Sequence, residues 1–200
     1  MMRKITDLEA LSELYGAPVP ASLTKVMNGL TPLYRRWIEA SRFVILSTVG
    51  PEGTDASPRG DDGPVVKLVD DRTIWLPDWR GNNRIDNLRN IVRDPRVSLM
   101  FMVPGCINVV RVNGSAFLTD DPQATEAFEQ RGRHPKTVIV IKTEEIYFQC
   151  AKALMRSGLW SRDDSDGLPT PGDFVKAVDA NFDGAAYDSG YAEYAKDRMW

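Results

Sequence analysis

Histidine and cysteine are scarce in this chain, which has one histidine and two cysteines among 200 residues. Cys106 and Cys150 are far apart and belong to no CxxC or Cys/His motif with the spacing of a zinc site. His134 cannot form a histidine metal cluster alone, and its surroundings in RGRHPK are typical of an exposed loop. The sequence therefore predicts two reduced thiols and no metal site.

Long apolar runs are missing as well. No stretch of about 18 uninterrupted apolar residues is present, which argues against a membrane-spanning helix. The first residues, MMRKITDLEALSELYG, lack the apolar core of a signal peptide. We therefore expect a cytoplasmic protein with no membrane partner.

Motifs for phosphate loops, dinucleotide folds and serine nucleophiles are also absent, since the chain has no GxxxxGK[ST], GxGxxG or GxSxG. The adjacent carboxylates Glu144 and Glu145 fall in a predicted strand, where neighbouring side chains point to opposite faces. They cannot form a ready acid/base pair, so no catalytic side chain is assigned. If the protein is an enzyme, a cofactor would have to supply the chemistry.

The charge balance gives no general attraction to nucleic acid, because the net charge is -3 and the pI is near 5.3. Arg80, Arg84, Arg89 and Arg93 recur at helical spacing and offer a nucleic-acid alternative, but they lack a wider basic stripe. The composition, with 42% hydrophobic and 26% charged residues, is instead typical of a soluble protein with a packed core. We expect no nucleic-acid partner.

The pattern along the chain predicts a mostly β fold with peripheral helices. Six or so short strands are separated by turn signals; the runs are FVILSTV, TDASPRGD, PVVKLVDD, RTIWLPD, RVSLMFMV, INVVRVNGSAFLT and TVIVIKTEEIYFQ. They do not alternate with helices as βαβα units, which argues against a doubly wound parallel sheet and favours an antiparallel barrel. The Asn-Gly pair within Arg111 to Ala116 predicts a bulge or a close approach to another backbone.

We expect a single domain with three parts. Residues 1–40 form a helical segment packed on the barrel, residues 41–160 form the barrel, and residues 161–200 form a loop, a helix and a mobile tail. A further helix is predicted from Pro122 to Arg131.

The segment PDWRGNNRIDNLRNI, residues 77–91, concentrates hydrogen-bond donors where a helix begins. Asn82 and Asn83 carry amide donors, and Arg84 carries a planar fork suited to phosphate. The exposed N–H groups of a first helical turn also bind anions. A capped, solvated helix explains the same pattern. In either case Ile85, Leu88 and Ile91 or Val92 are predicted to form the buried stripe of the helix.

Two other groups of residues are candidates for a ligand site. Arg59 and Lys67 lie on successive predicted strands and would converge on this helix if the strands are antiparallel neighbours. In CAKALMRSGLW, Trp160 either packs into the core or lies against a flat aromatic ligand to which Lys152 or Arg156 supplies charge.

Taken together and in order, five segments resemble the pyridoxamine 5'-phosphate oxidase-like family of FMN-binding split β-barrels. They are STVGPEGTDASPRGD, GPVVKLVDDRTIWLPDWRGNNRIDNLRNI, DPRVSLMFMVPG, RVNGSA and CAKALMRSGLW, between Phe43 and Trp160. More narrowly they are similar to a bacterial branch of FMN-dependent enzymes whose substrate is unassigned.

The resemblance implies a six-stranded antiparallel split β-barrel that forms a homodimer, with FMN in the interface touched by both chains. It implies an FMN-dependent oxidoreductase that transfers hydride through flavin N5, with an unknown small-molecule substrate. The cofactor-binding residues that it implies are Ser57, Arg59, Lys67, Asp78, Asn82, Asn83, Arg84, Lys152, Arg156, Ser157 and Trp160.

The sequence departs from the family in two respects and leaves alternatives open; one is that the substrate-binding Arg/His arrangement near the C-terminus of pyridoxamine 5'-phosphate oxidases has no counterpart here. Pyridoxamine 5'-phosphate oxidases have a Ser/Arg/Lys run where this chain has Asn82, Asn83 and Arg84, so oxidation of vitamin B6 is not implied. A split barrel that uses F420 or haem, and a non-catalytic flavin-binding protein for storage or sensing, are the alternatives.

Overall fold

The protein, described over residues 2–200 by a computed structural model, contains one antiparallel sheet of seven strands. The strands are β1 (Phe43–Gly50), β2 (Gly53–Gly60), β3 (Lys67–Leu68), β4 (Thr73–Asp78), β5 (Arg96–Met102), β6 (Val109–Thr119) and β7 (Thr137–Gln149). They are hydrogen-bonded in the order β2-β1-β5-β6-β7-β4-β3. The sheet is not closed, because β2 and β3 are its two edges.

Helices lie before, between and after the strands. They are α1 (Leu8–Tyr15), α2 (Pro20–Thr24), α3 (Pro32–Glu39), α4 (Asp86–Arg93), α5 (Pro122–Thr125), α6 (Lys152–Ser157), α7 (Pro171–Lys176) and α8 (Gly184–Lys196). The architecture is therefore mixed α and β and not mostly β as expected. Among residues 2–200, every helix is too short or too polar to cross a lipid bilayer.

The main core cluster follows the period of two that strands impose, and a smaller, separate cluster contains Ala124, Val138 and Val140. In β1 and β5 alternate side chains are buried, such as Leu46 and Phe101, and α4 adds Leu88 and Ile91 to the main cluster. Each large apolar side chain removed from water in this way contributes roughly 1.5–3 kcal/mol. The core thereby fixes α4 against the sheet.

Four local predictions are corrected. The sheet has seven strands, not six. The predicted strand PVVKLVDD is shortened to the two residues of β3, and Val65 and Val66 before it are buried in the core without belonging to a strand. The helix predicted from Pro122 to Arg131 ends at Thr125, after which the chain turns towards an isolated bridge. In α4 the buried stripe contains Ile91 and not Val92, while Ile85 is exposed.

The predicted irregularity in β6 is confirmed. The pairing of β6 with β7 shifts register between Asn113 and Gly114. An ideal Cβ on Gly114 would lie 2.0 Å from the carbonyl oxygen of Lys142. Only glycine allows the two backbones to approach this closely.

The two ends of the sheet curve towards each other. Arg59 on edge strand β2 forms a salt bridge with Asp78 at the end of β4. The indole N–H of Trp79 donates to Oδ2 of Asp61, just after β2, over 2.7 Å. Side chains of edge strand β2 and of β4, the strand next to the opposite edge, thus meet along a seam.

Candidate functional site

A cleft of about 1140 Å³ lies along this seam. Its walls are the side of β2 from Asp55 to Gly60, the loop from β4 to α4, residues 133–136 before β7, and Met199 with Trp200. The volume is at or above the upper end for small-molecule sites, about 300–1,000 Å³. A nucleotide-sized ligand could be held here.

A hydrogen-bond chain orders one wall of the cleft. The guanidinium of Arg59 contacts Asp78 and also donates from Nε to the hydroxyl of Ser57 over 3.2 Å. Ser57 in turn donates to the side-chain oxygen of Asn87, whose amide donates to Thr48 over 2.9 Å. Asn87 and Thr48 are buried, so the positions of Ser57 and Arg59 are set from the interior.

The start of α4 is exceptional among the longer helices. Asp7, Thr31 and Asp183 cap α1, α3 and α8 through their side chains, whereas Ile85 precedes α4 and provides no side-chain cap. The first-turn N–H groups of α4 therefore lack the partner that a capping side chain would supply. They lie at the positive end of the helix dipole, where an anion is stabilised.

The backbone that leads into α4 is strained. Asn83 and Ile85 have φ angles of 61° and 52°, in the left-handed region. Asparagine tolerates this region, but a β-branched residue rarely adopts it. Such strain persists where the surrounding structure imposes it, and it is concentrated at ligand sites and active sites.

Arg84 lines the cleft, but its side chain is already engaged. Its Nε donates to the carboxylate of Asp86 over 2.5 Å, and this hydrogen bond raises the pKa of Arg84 further above its ordinary value. The backbone N–H of Arg84 donates to Oδ1 of Asn82 over 3.0 Å. A phosphate would therefore compete with Asp86 for the Arg84 fork.

Two other cations in the cleft have no partner. Arg80 and Lys136 line the cleft and form neither a salt bridge nor a side-chain hydrogen bond with any of residues 2–200. The sequence offered Arg80 only for the nucleic-acid alternative and did not single out Lys136. Only the strand pairing reveals the position of Lys136. Because β4 pairs with β7 and Asp78 lies opposite Thr137, the preceding residue, Lys136, reaches the cleft.

The candidate residues divide into two groups. Those that line the cleft are Ser57, Arg59, Asp78, Asn82, Asn83 and Arg84. Those that do not line it are Lys67, Lys152, Arg156, Ser157 and Trp160. Lys67 lies exposed on β3, and Trp160 is 41% exposed, with its indole N–H donated to the carbonyl of Cys106 over 2.7 Å. Trp160 is therefore not a core residue of this chain, and its binding role stays a prediction.

Residues far apart in sequence complete the cleft. His134 is exposed, as its loop context predicted, yet it lines the cleft, with Nδ1 held 2.6 Å from the carbonyl of Phe128. Met199 and Trp200 come from the other end of the chain. Within the described residues there is no cluster of three or more potential metal ligands.

Comparison with known proteins identifies a family to which this chain is similar. Residues 30–150 match the family model described as pyridoxamine 5'-phosphate oxidase. No curated protein gives a significant match to the chain.

Solved structures resemble this chain at low sequence identity. A variant of HupZ from Group A Streptococcus is 19% identical, with a TM-score of 0.50, over 60% of this chain and 98% of that chain. A candidate pyridoxamine 5'-phosphate oxidase from Lactobacillus delbrueckii is 22% identical, with a TM-score of 0.45, over 60% of this chain and 95% of that chain. General Stress Protein 26 from Bacillus anthracis is 20% identical, with a TM-score of 0.43, over 57% of this chain and 88% of that chain.

Proposed function

The chain belongs to the pyridoxamine 5'-phosphate oxidase family, and we propose that it is an FMN-dependent oxidoreductase acting on a small molecule. We propose further that it works as a homodimer of split β-barrels, in which the seam cleft holds the cofactor. Membership of this family does not by itself identify the substrate, so it does not imply that the protein oxidises vitamin B6.

One observation carries the proposal: an uncapped helix start opens into a large cleft together with two unpaired cations. The first turn of α4 offers N–H donors, and Arg80 and Lys136 offer charges that form no salt bridge with any of residues 2–200. A phosphate monoester satisfies both kinds of donor at once. Asp86 also lines the cleft, but its pairing with Arg84 reduces its repulsion of an anion.

The residues of the chain would position the cofactor, while the flavin would supply the hydride chemistry at N5. Arg80, Lys136 and the start of α4 hold the phosphate. Ser57 and Arg59, fixed by Asn87 and Asp78, line the adjacent wall.

The candidate residues outside the cleft have a place in the same proposal. Lys152, Arg156, Ser157 and Trp160 would reach the cleft of a second copy, so that each flavin contacts both chains. There Lys152 or Arg156 would bring positive charge to the ring system. This arrangement accounts for an exposed tryptophan at the end of α6 in the single chain.

Flavin binding is the direct test. We expect the purified protein to show a flavin spectrum or to take up added FMN, and to be reduced by NADH or NADPH and reoxidised in air. Bound flavin without such turnover would indicate a carrier. A protein that takes up neither FMN nor riboflavin, or that binds only F420 or haem, would refute the proposal.

The phosphate site has a sharper test. Lys136→Ala and Arg80→Ala should each weaken FMN roughly tenfold to a hundredfold through loss of a charged hydrogen bond. Neither should change the affinity for riboflavin, which has no phosphate. Glu126→Ala, an exposed position outside the cleft, is the control. Equal loss of FMN and riboflavin affinity would show that these cations do not contact the phosphate.

A further inference from the structure

Two tryptophans in the cleft are held by one carboxylate. The indole N–H of Trp79 donates to Oδ2 of Asp61 over 2.7 Å, and that of Trp200 donates to Oδ1 over 3.1 Å. Oδ1 also accepts from the side chain of Gln130 over 2.9 Å and from the backbone N–H of Asp62 over 2.7 Å. We call Trp79 and Trp200 the indole pair; both line the cleft.

The segment that carries Trp200 is tied down. Arg133 donates to the main-chain oxygens of Asp197 and Trp200 over 2.7 Å and 2.8 Å. The guanidinium of Arg131 lies 4.6 Å from the centre of the Trp200 ring and donates to the carbonyl of Lys196. The last residues of a domain are usually poorly ordered unless such contacts hold them.

These contacts do not serve the hydrophobic core. The indole pair is only partly buried and belongs to neither core cluster. The charged side chains of Asp61, Arg131 and Arg133 therefore orient two aromatic rings at the surface of a cleft. Flat aromatic ligands bind to such rings by stacking, and fixed rings lose little conformational entropy when they bind.

We propose that the indole pair is the binding surface for the ring system of the ligand, and that Asp61 is the residue that positions it. This inference rests on the proposed function, and it makes the ligand's ring system an isoalloxazine. The cleft then has two functional parts: the start of α4 with Arg80 and Lys136 for the phosphate, and the indole pair for the ring. Arg131 and Arg133 hold the Trp200 half of that surface in place.

Two flavins separate the two parts. Lumiflavin has the ring system without the ribityl phosphate, so Trp200→Ala should weaken lumiflavin and FMN by the same factor, roughly tenfold for a lost stacking contact. Lys136→Ala should weaken FMN alone. Trp200→Phe, which keeps a ring, should retain most of the affinity, and Tyr187→Ala on α8, outside the cleft, should change neither value.

A double-mutant cycle tests whether Asp61 acts through the indoles. Asp61→Asn should weaken lumiflavin in the natural background, because one acceptor oxygen becomes an amide donor facing an N–H. In a Trp79→Phe/Trp200→Phe background it should have no further effect, since phenylalanine has no N–H to position. A merely structural role for Asp61 would produce the same loss in both backgrounds.

The outcomes distinguish the two proposals. A natural protein that binds no flavin refutes both. If FMN binds and Lys136→Ala weakens it selectively, but Trp200→Ala and Asp61→Asn leave lumiflavin binding unchanged, the proposed function stands and the indole pair is refuted. Circular dichroism of each variant confirms that the fold is retained before binding is compared.

Discussion

Arg59 and Asp78 join edge strand β2 to β4, the strand next to the opposite edge. Both side chains are about four-fifths buried, at 20% and 18% exposure. Removing one partner of such a pair leaves the other charge without compensation in a poorly solvated site. The pair therefore has a structural role at the seam besides its place in the cleft wall.

We expect Arg59→Met to destabilise the protein by about 3 kcal/mol, because Asp78 is left buried and unpaired. The double variant Arg59→Met/Asp78→Leu should recover much of this loss, since neither charge then remains. Urea denaturation followed by tryptophan fluorescence measures both free energies of unfolding. A double variant as unstable as the single one would show that packing of the Arg59 stem, and not the unpaired carboxylate, is what matters.

At this scale six of the candidate residues named from the sequence line the cleft. Arg59 and Asn82 to Arg84 are recognisable from the local sequence, whereas Ser57 and Asp78 come from the family resemblance; all of them line the cleft. Asp61 was recognisable only as part of a turn, because its hydrogen-bond partners Gln130 and Trp200 are 69 and 139 residues away in the chain. Nothing local distinguishes a turn aspartate from one that positions two indoles.

Among the elements, α4 connects directly to β5 through Asp94. The side chain of Arg96 and, to a lesser extent, its backbone N–H donate to the Asp94 carboxylate and lower its pKa from 3.8 to about 2. A carboxyl whose pKa is lower in the folded state stabilises the fold above its unfolded pKa. That contribution is lost as the pH falls through the folded pKa.

We therefore expect the difference in urea midpoint between the natural protein and Asp94→Asn to be constant above about pH 4 and to shrink between about pH 4 and pH 2. In an Arg96→Met background the same comparison should show much less dependence on pH. A difference that persists unchanged at pH 2 would mean that the protonated side chain contributes as much as the carboxylate.

The bulge in β6 gives a second test at the level of elements. Gly114→Ala should destabilise the protein by about 3 kcal/mol or more, because the new Cβ would lie 2.0 Å from a backbone oxygen that cannot move aside. The matched control is Gly190→Ala, which lies within α8 with open space around it. That change should stabilise the helix by roughly 0.5–1 kcal/mol, so thermal unfolding should shift in opposite directions for the two variants. A neutral Gly114→Ala would contradict the close approach.

The elements that the sequence predicted well are those with strong internal patterns. The run TVIVIKTEEIYFQ corresponds to β7 from its first residue to its last, and FVILSTV lacks only the final glycine of β1. The predictions for β3 and α5 were wrong because tertiary contacts override the local pattern. Val65, for example, is buried in the core, and its N–H donates to the carbonyl of Ser41 and not to a neighbouring strand.

At the scale of the whole molecule, the cleft exists because of the strand order. The ladder places β7 beside β4 and so brings Lys136 next to Asp78, although 58 residues separate them in the chain. Residues 131–133 then hold the segment that carries Trp200. Local sequence patterns cannot predict these contacts, because each contact depends on a pairing between elements that are distant in the chain.

The candidate residues on and after α6, up to Trp160, lie outside the cleft of their own chain. If they complete the cleft of a second copy, two defective variants should complement each other. Mixing Lys136→Ala with Arg156→Ala and allowing subunits to exchange gives mixed dimers in which one site carries both changes and the other carries neither. In an equal mixture about a quarter of all sites should then regain natural FMN affinity, by the symmetry of a two-fold dimer.

Fluorescence titration with FMN measures that fraction directly, and each variant alone, exchanged with itself, is the control. Complementation requires that Lys136 and Arg156 of one site come from different chains. If both residues acted within one chain, every mixed dimer would contain two singly defective sites and no high-affinity fraction would appear. The titration thus decides the subunit origin of the α6 residues, and sedimentation of the same samples with and without FMN shows whether binding and dimerisation are coupled, as a shared site requires.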